Sequence, residues 1–206
     1  ADQPALVAYM LMRQAQQAAD RRDGQQAVVL AAAAAQQPLL SRRDRALCAI
    51  RAAQGRAIVG DGRGCHGAIR HAATLVAEAG DRDGFDDPHT IGRHCGPAYV
   101  TAHEGYCHLR LGQHRTAVDV LERVLRAWPA SFRQDEGIAR AWLALAYAAC
   151  GELEHAAVEG NLALTVATEA GSARIIRTLT PLNGALAGHR QIPAAEQFQL
   201  RYAMVG

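Results

Sequence analysis

Lysine is missing from this chain of 206 residues. All 22 basic side chains are arginine, and 20 acids oppose them for a formal net charge of +2. So even a balance excludes nucleic-acid binding driven by bulk charge. Aromatics are only 5% of the chain, and serine occurs only at Ser41, Ser131 and Ser172, each in a turn-forming context. There is no GxSxG, no HExxH, no paired-carboxylate motif and no phosphate loop. Gly60-Asp61-Gly62-Arg63-Gly64 is glycine-rich, yet no strand pattern precedes it and no Gly-Lys-Ser/Thr follows. Long apolar runs are lacking too: Ala31–Ala35 is short and followed by glutamines, well below the roughly 18 residues of a membrane helix. No secretory leader is read, and Ala1 in place of Met points to a trimmed or excised chain. The five cysteines, at 48, 65, 95, 107 and 150, are odd in number and contain no CxxC. That excludes a dense secreted disulfide framework and reads as buried thiols in a reducing cytoplasm.

What fills the space is alanine, 44 residues of it, in a chain that is 50% hydrophobic. Alanine, leucine, arginine and glutamine are the strong helix formers, and the apolar content is too high for disorder. Small residues recur at Ala27, Ala68, Ala117, Ala156 and Ala195, at intervals of 41, 49, 39 and 39 residues. Each opens an amphipathic stretch that follows another helix pattern, the signature of duplicated helical hairpins. The expected fold is all-α, a right-handed solenoid of about five antiparallel helix pairs in one domain. The pairs are expected over about 4–37, 43–79, 96–128, 134–170 and 172–204, with a long connection at 80–95. Gly112 and Gly151 fall where helix ends favour a left-handed residue. Pro193 suits a first helical turn. Ala117, Val120, Leu121, Val124, Leu125 and Trp128 form one apolar stripe, opposite an exposed Glu122–Arg126 pair.

The tetratricopeptide pattern runs W-x2-L-G-x2-Y through a first helix, with alanine early in the second and a closing proline. The fourth pair carries Leu143, Ala144, Tyr147, Gly151, Ala156 and Ala163. The third carries Gly105, Gly112, Ala117, Leu121 and Pro129, but has Thr101, Glu104 and His108 in place of the large residues. Small residues at these offsets let two helices touch while larger side chains fill the gaps. Through segments 7–28, 92–129, 135–157 and 171–194, the chain resembles the C-terminal tetratricopeptide region of actinobacterial regulators that begin with a helix-turn-helix domain. Gly171-Ser172-Ala173-Arg174 is the most specific piece of the resemblance. It implies a cytoplasmic, non-enzymatic sensor or effector domain of a transcriptional regulator. DNA would be reached only through an attached or recruited helix-turn-helix domain, with no direct nucleic-acid binding and no membrane.

Such arrays line a concave groove with their first helices. The residues expected to face it are Tyr9, Met12, Gln16, Ile50, Gln54, Tyr99, Tyr106, Arg110 and Leu145, with Ala141 and Ala148. This wall suits a peptide, a protein segment or a small-molecule effector. A free-standing interaction adaptor is the alternative. A metal- or thiol-dependent enzyme is a third reading: five of the nine histidines fall within 81–114, and His94, Cys95, His103 and Cys107 could supply metal ligands. His103 and Cys107 share a helix face, though none of the spacings is that of a zinc finger, and no cofactor is expected. Asp81, Asp83, Asp86 and Asp87 resemble the start of a calcium loop, but Gly92 stands where the closing glutamate belongs. That stretch reads instead as a solvated connection and candidate lid. Arg42, Arg43 and Arg45 cluster near one helix start. Leu200, Tyr202 and Met204 make the last pair a candidate capping or homodimer surface.

Overall fold

The computed structural model describes residues 3–79 and 92–205. Among these residues there are ten helices and no strand. The chain divides into two compact units, 1–111 and 112–206, so the third expected pair contributes one helix to each.

Unit 1 contains α1 (Gln3–Asp20), α2 (Gly24–Ala35), α3 (Arg42–Ile58), α4 (Gly62–Ala79) and α5 (Pro97–Arg110). Each of the first four packs on its successor, α1 also reaches α3, and α5 lies on α3 and α4. Unit 2 contains α6 (His114–Leu125), α7 (Arg133–Ala149), α8 (Leu153–Ala170), α9 (Ala173–Ala185) and α10 (Pro193–Ala203). There α6 packs on α7, α7 on α8, α9 on both α7 and α8, and α10 on α8 and α9. The order within each unit is that of stacked helical hairpins.

The local chemistry explains the boundaries. Ser41 and Asp44 form a reciprocal capping box that starts α3, satisfying donors a helix start leaves unpaired. Gly112 and Gly151 turn the chain at φ 76° and 80°, the left-handed region where a Cβ is penalised. One boundary differs from expectation. Helix α6 stops at Leu125, and Trp128 lies in the following turn, where its indole N–H donates to the Phe132 carbonyl at 3.0 Å. The Glu122–Arg126 pair forms at 3.9 Å with both side chains exposed.

The six alanines expected at close contacts, Ala27, Ala68, Ala117, Ala144, Ala156 and Ala163, are all buried. The tightest crossing is nonetheless made by glycines. A Cβ on Gly24 would meet the Gly55 carbonyl oxygen at 2.5 Å, and one on Gly55 would meet the Gly24 oxygen at 2.6 Å. Helices α2 and α3 therefore touch backbone to backbone. In unit 2, Gly160 and Gly137 make comparable approaches, but to the side chains of Leu182 and Phe198 and of Ile175 and Val166. The acidic stretch 81–87, His89 and the reading of the connection as a lid lie outside the described residues.

Candidate functional site

Helix α3 separates two different environments. At 100° per residue, Arg43, Leu47, Ile50, Gln54 and Ala57 share one side, while Arg45, Cys48, Ala49, Ala52 and Arg56 share the other. The first side is covered by α1 and α5. Of the residues expected to line a groove, Met12, Gln16, Ile50, Gln54 and Tyr99 are all buried. Ile50, Met12 and Tyr99 belong to one hydrophobic core that also contains Leu47, Cys65 and Val100. Of the remaining expected residues, Tyr9 is exposed and Tyr106, Arg110 and Leu145 are half-buried. In unit 2, Ala141 is buried and Ala148 half-buried.

At the covered side sits Arg51, 4% exposed. Its guanidinium donates to Gln54 Oε1 at 2.8 Å and to the Tyr99 hydroxyl at 2.9 Å, and approaches His103 Nε2 at 3.3 Å. His103 Nδ1 lies 2.9 Å from the Tyr99 carbonyl, so a neutral ring with its proton on Nδ1 satisfies both contacts. A buried charge among neutral partners is stable only when its donors are satisfied, and this network ties α3 to α5. His94 packs edge-on against Tyr99 at 4.8 Å. Burial, helped by the Arg51 charge, lowers its pKa to about 4.

The candidate metal ligands do not converge. His103 is committed to Arg51 and Tyr99, and the Cys95 carbonyl accepts from Arg43 at 3.0 Å. Cys107 hydrogen-bonds to Cys65, which holds Cys107 above and Cys65 below the ordinary thiol value. Among the described residues, no three His, Cys, Asp or Glu side chains group as a metal site. The arginine cluster likewise separates. Arg43 is buried against Cys95, Arg42 reaches Glu78 at 3.7 Å, and Arg45 is exposed on the opposite side of α3. Gly92 anchors the chain beside them through its N–H to Asp44 Oδ1 at 2.6 Å.

The uncovered side of α3 is the floor of an open groove of about 580 Å³. Ala31 and Ala35 of α2 with Gln36 just beyond it form one wall, and Gly64, Gly67 and His71 of α4 form the other. The volume falls within the range of ligand clefts, roughly 300–1,000 Å³. The groove stays open because its floor carries Ala49 and Ala52, whose methyls do not fill the space between the walls. Cys48 lies beneath it, and burial pushes that thiol up to about 12. The sequence reading missed this groove because it is built from small residues, which amphipathic patterning assigns to helix contacts. The available signal was the spacing of Ala49, Ala52 and Arg56 on the α3 face opposite Ile50.

Unit 2 presents a smaller pocket of about 370 Å³ between α8 and α10, lined by Leu164, Thr165, Thr168, Arg201 and Met204. Arg201 donates to the Asn161 carbonyl and the Thr165 hydroxyl, both at 2.9 Å. Asn161 in turn donates to the Ala194 carbonyl at 2.9 Å. These bonds clasp α10 to α8 and occupy the polar groups around the pocket. Leu200 and Met204 are exposed, while Tyr202 is half-buried and hydrogen-bonds to Thr180 at 2.8 Å.

No helix among the described residues is long and apolar enough to cross a membrane. No family model and no curated protein matches the chain. Among solved structures, the chain is similar to a crystal structure of TPR-like repeats described as a kinesin light chain from Podosopora anserina. The two share 16% identity and a TM-score of 0.56, over 98% of this chain and 95% of that one. At that identity the likeness establishes the fold: the chain is a tetratricopeptide-like helical repeat.

Proposed function

We propose that this chain is a non-enzymatic interaction domain that holds a peptide or protein segment in the α2–α3–α4 groove of unit 1. The observation that carries this reading is the groove itself: an open cleft of about 580 Å³ over a floor of small side chains. Helical repeats present binding surfaces of this kind because stacked helices leave continuous furrows between them. In the setting implied by the sequence resemblance, this is the effector half of a helix-turn-helix regulator. Occupation of the groove would then favour one arrangement of the attached DNA-binding domain through differential affinity. Its partners are protein segments or small effectors, and its site is cytoplasmic.

Gly67 provides the test. A Cβ at this position meets nothing within 4 Å, so Gly67→Leu places a side chain in the groove and raises helix propensity. Affinity capture with wild-type protein is expected to retain a partner that Gly67→Leu loses, although the variant is at least as thermally stable. Equal retention by the two proteins would remove the groove from the account. The chain alone is expected to give no sequence-specific gel shift at physiological salt.

A further inference from the structure

Helices α4 and α5 each carry the dipeptide Cys-His, at Cys65-His66 and at Cys107-His108. Packing sets the two dipeptides against each other. A Cβ on Gly62 would meet Leu111 Cδ1 at 3.8 Å, and Cys65 hydrogen-bonds to Cys107. Rising numbers on α4 therefore meet falling numbers on α5, an antiparallel register. Successive helical residues point about 100° apart, so the dipeptides separate into two layers. The thiols meet in the core, where both residues are 0% exposed. The imidazoles meet at its edge, where both residues are half-buried.

The imidazole layer has the geometry of a shared ligand. The ring centroids of His66 and His108 are 5.2 Å apart. Zn–N bonds of about 2.0–2.1 Å put each centroid about 3.2 Å from an ion, so two rings at a tetrahedral angle have centroids about 5.2 Å apart. A metal lies in the plane of each ring it binds, so rings stacked in parallel cannot share one. These rings are tilted by 42°, and their planes intersect. His66 Nε2 is buried and has no hydrogen-bond partner among the described residues. A polar atom left in that state costs free energy that a ligand recovers. The surrounding charge favours a cation. Glu104 lies one turn before His108 on the same side of α5, and its carboxylate is near enough to act on both thiols. Arg63 and Arg70, on either side of His66 along α4, are exposed, where water and salt screen them.

We infer that His66 and His108 form a two-histidine site for a divalent transition-metal ion of the zinc class, bridging α4 and α5. Among the described residues no third His, Cys, Asp or Glu side chain completes a metal-binding group, so water fills the remaining positions. The thiols, paired with each other in the core, stay out of the coordination. The ion acts as a removable staple that holds α5, the last helix of unit 1, on α4. The site is separate from the groove, whose α4 wall is made by Gly64, Gly67 and His71.

The test is titration of Zn2+ into the full chain, purified without a histidine tag and stripped with chelator, read by calorimetry and thermal unfolding. Zn2+ is expected to bind one-to-one and to raise the unfolding midpoint, because an ion that binds only the folded state stabilises it. His66→Gln and His108→Gln should each weaken binding at least about tenfold, since loss of even an outer-shell partner costs about 10–100-fold. Cys65→Ser should bind as wild type does. Co2+ in the wild-type chain gives a reading that needs no variant: visible bands of nitrogen and oxygen coordination, without a thiolate charge-transfer band. No saturable binding by wild type, or undiminished binding by both histidine variants, would overturn the site. A thiolate band, or loss of binding in Cys65→Ser, would move the ligands to the thiols and overturn the histidine assignment.

Discussion

In unit 1 the guanidinium of Arg51 is buried among the neutral groups of Gln54, Tyr99 and His103. In unit 2 the guanidinium of Arg140 lies between two carboxylates, Glu136 and Glu159, each at 2.9 Å. Arg133 extends that second arrangement to Glu136 and Glu169, both at 3.1 Å. The units are stacked in the same way and fastened differently. Unit 1 relies on satisfied burial and on backbone contact at Gly24 and Gly55. Unit 2 uses ion pairs within α7 and across to α8, mostly buried around Arg140 and exposed around Arg133, the Arg201 clasp, and a hydrogen bond from Tyr147 to Glu122. Burial and the Glu122 carboxylate together hold the Tyr147 phenol above its ordinary pKa. Fastening unit 1 through the inner side of α3 leaves the outer side free to be a groove.

Acid should affect the units unequally, and this is the largest effect expected. His94 stays neutral in the folded state down to about pH 4, whereas in the unfolded chain it takes up a proton below about 6.5. The unfolded state binds more protons in that window, so stability present above pH 6.5 is lost as the pH falls toward 4. The loss reaches about 3 kcal/mol. Denaturant unfolding of wild type and His94→Gln across the window checks it: the variant should lose much less stability on acidification. Parallel acid limbs for the two proteins would assign the loss elsewhere.

Overpacking comes next. Ala117 and Ala156 are both 0% exposed in unit 2, and leucine at either should cost about 1–3 kcal/mol. Gly55→Ala in unit 1 should cost a similar amount, about 2 kcal/mol, because the new methyl meets a backbone oxygen that cannot rotate away. Gly160→Ala should cost less, since the Leu182 and Phe198 side chains can move. Equal losses at Gly55 and Gly160 in chemical denaturation would erase this distinction between the units.

Polar substitutions of equal or smaller effect separate the two kinds of fastening. Tyr99→Phe removes one acceptor from buried Arg51 and should cost about 1–3 kcal/mol, the penalty for an unsatisfied buried donor. Arg133→Gln removes pairs that are more than half exposed on the arginine side and should cost less than about 1 kcal/mol. Raised salt should narrow the second difference and leave the first unchanged.

The helices were legible in the sequence because their signals are local. Alanine content, Gly112 and Gly151 at helix ends, and Pro193 at a first turn all act within a few residues. The small-residue positions Ala117, Ala144 and Ala156 were legible for the same reason. The groove was not. Helical periodicity identifies the two sides of α3 but not which neighbour covers which. Ile50 and Gln54 were therefore expected to face outward, while α1 and α5 bury them. The Gly24–Gly55 crossing was equally hidden, since it depends on two residues far apart in sequence. The His94, Cys95, His103 and Cys107 grouping followed from proximity along the chain. In three dimensions His103 turns to Arg51, and Cys107 turns to Cys65 on α4.

The groove can be tested most directly with alanine-methyl-labelled protein observed by NMR as a peptide from a captured partner is added. The account predicts shifts concentrated at Ala31, Ala35, Ala49, Ala52 and Ala68, and their loss in Gly67→Leu. Shifts confined to other alanines, such as Ala141 and Ala148 of the wall expected from sequence, with those five methyls unmoved, would contradict it.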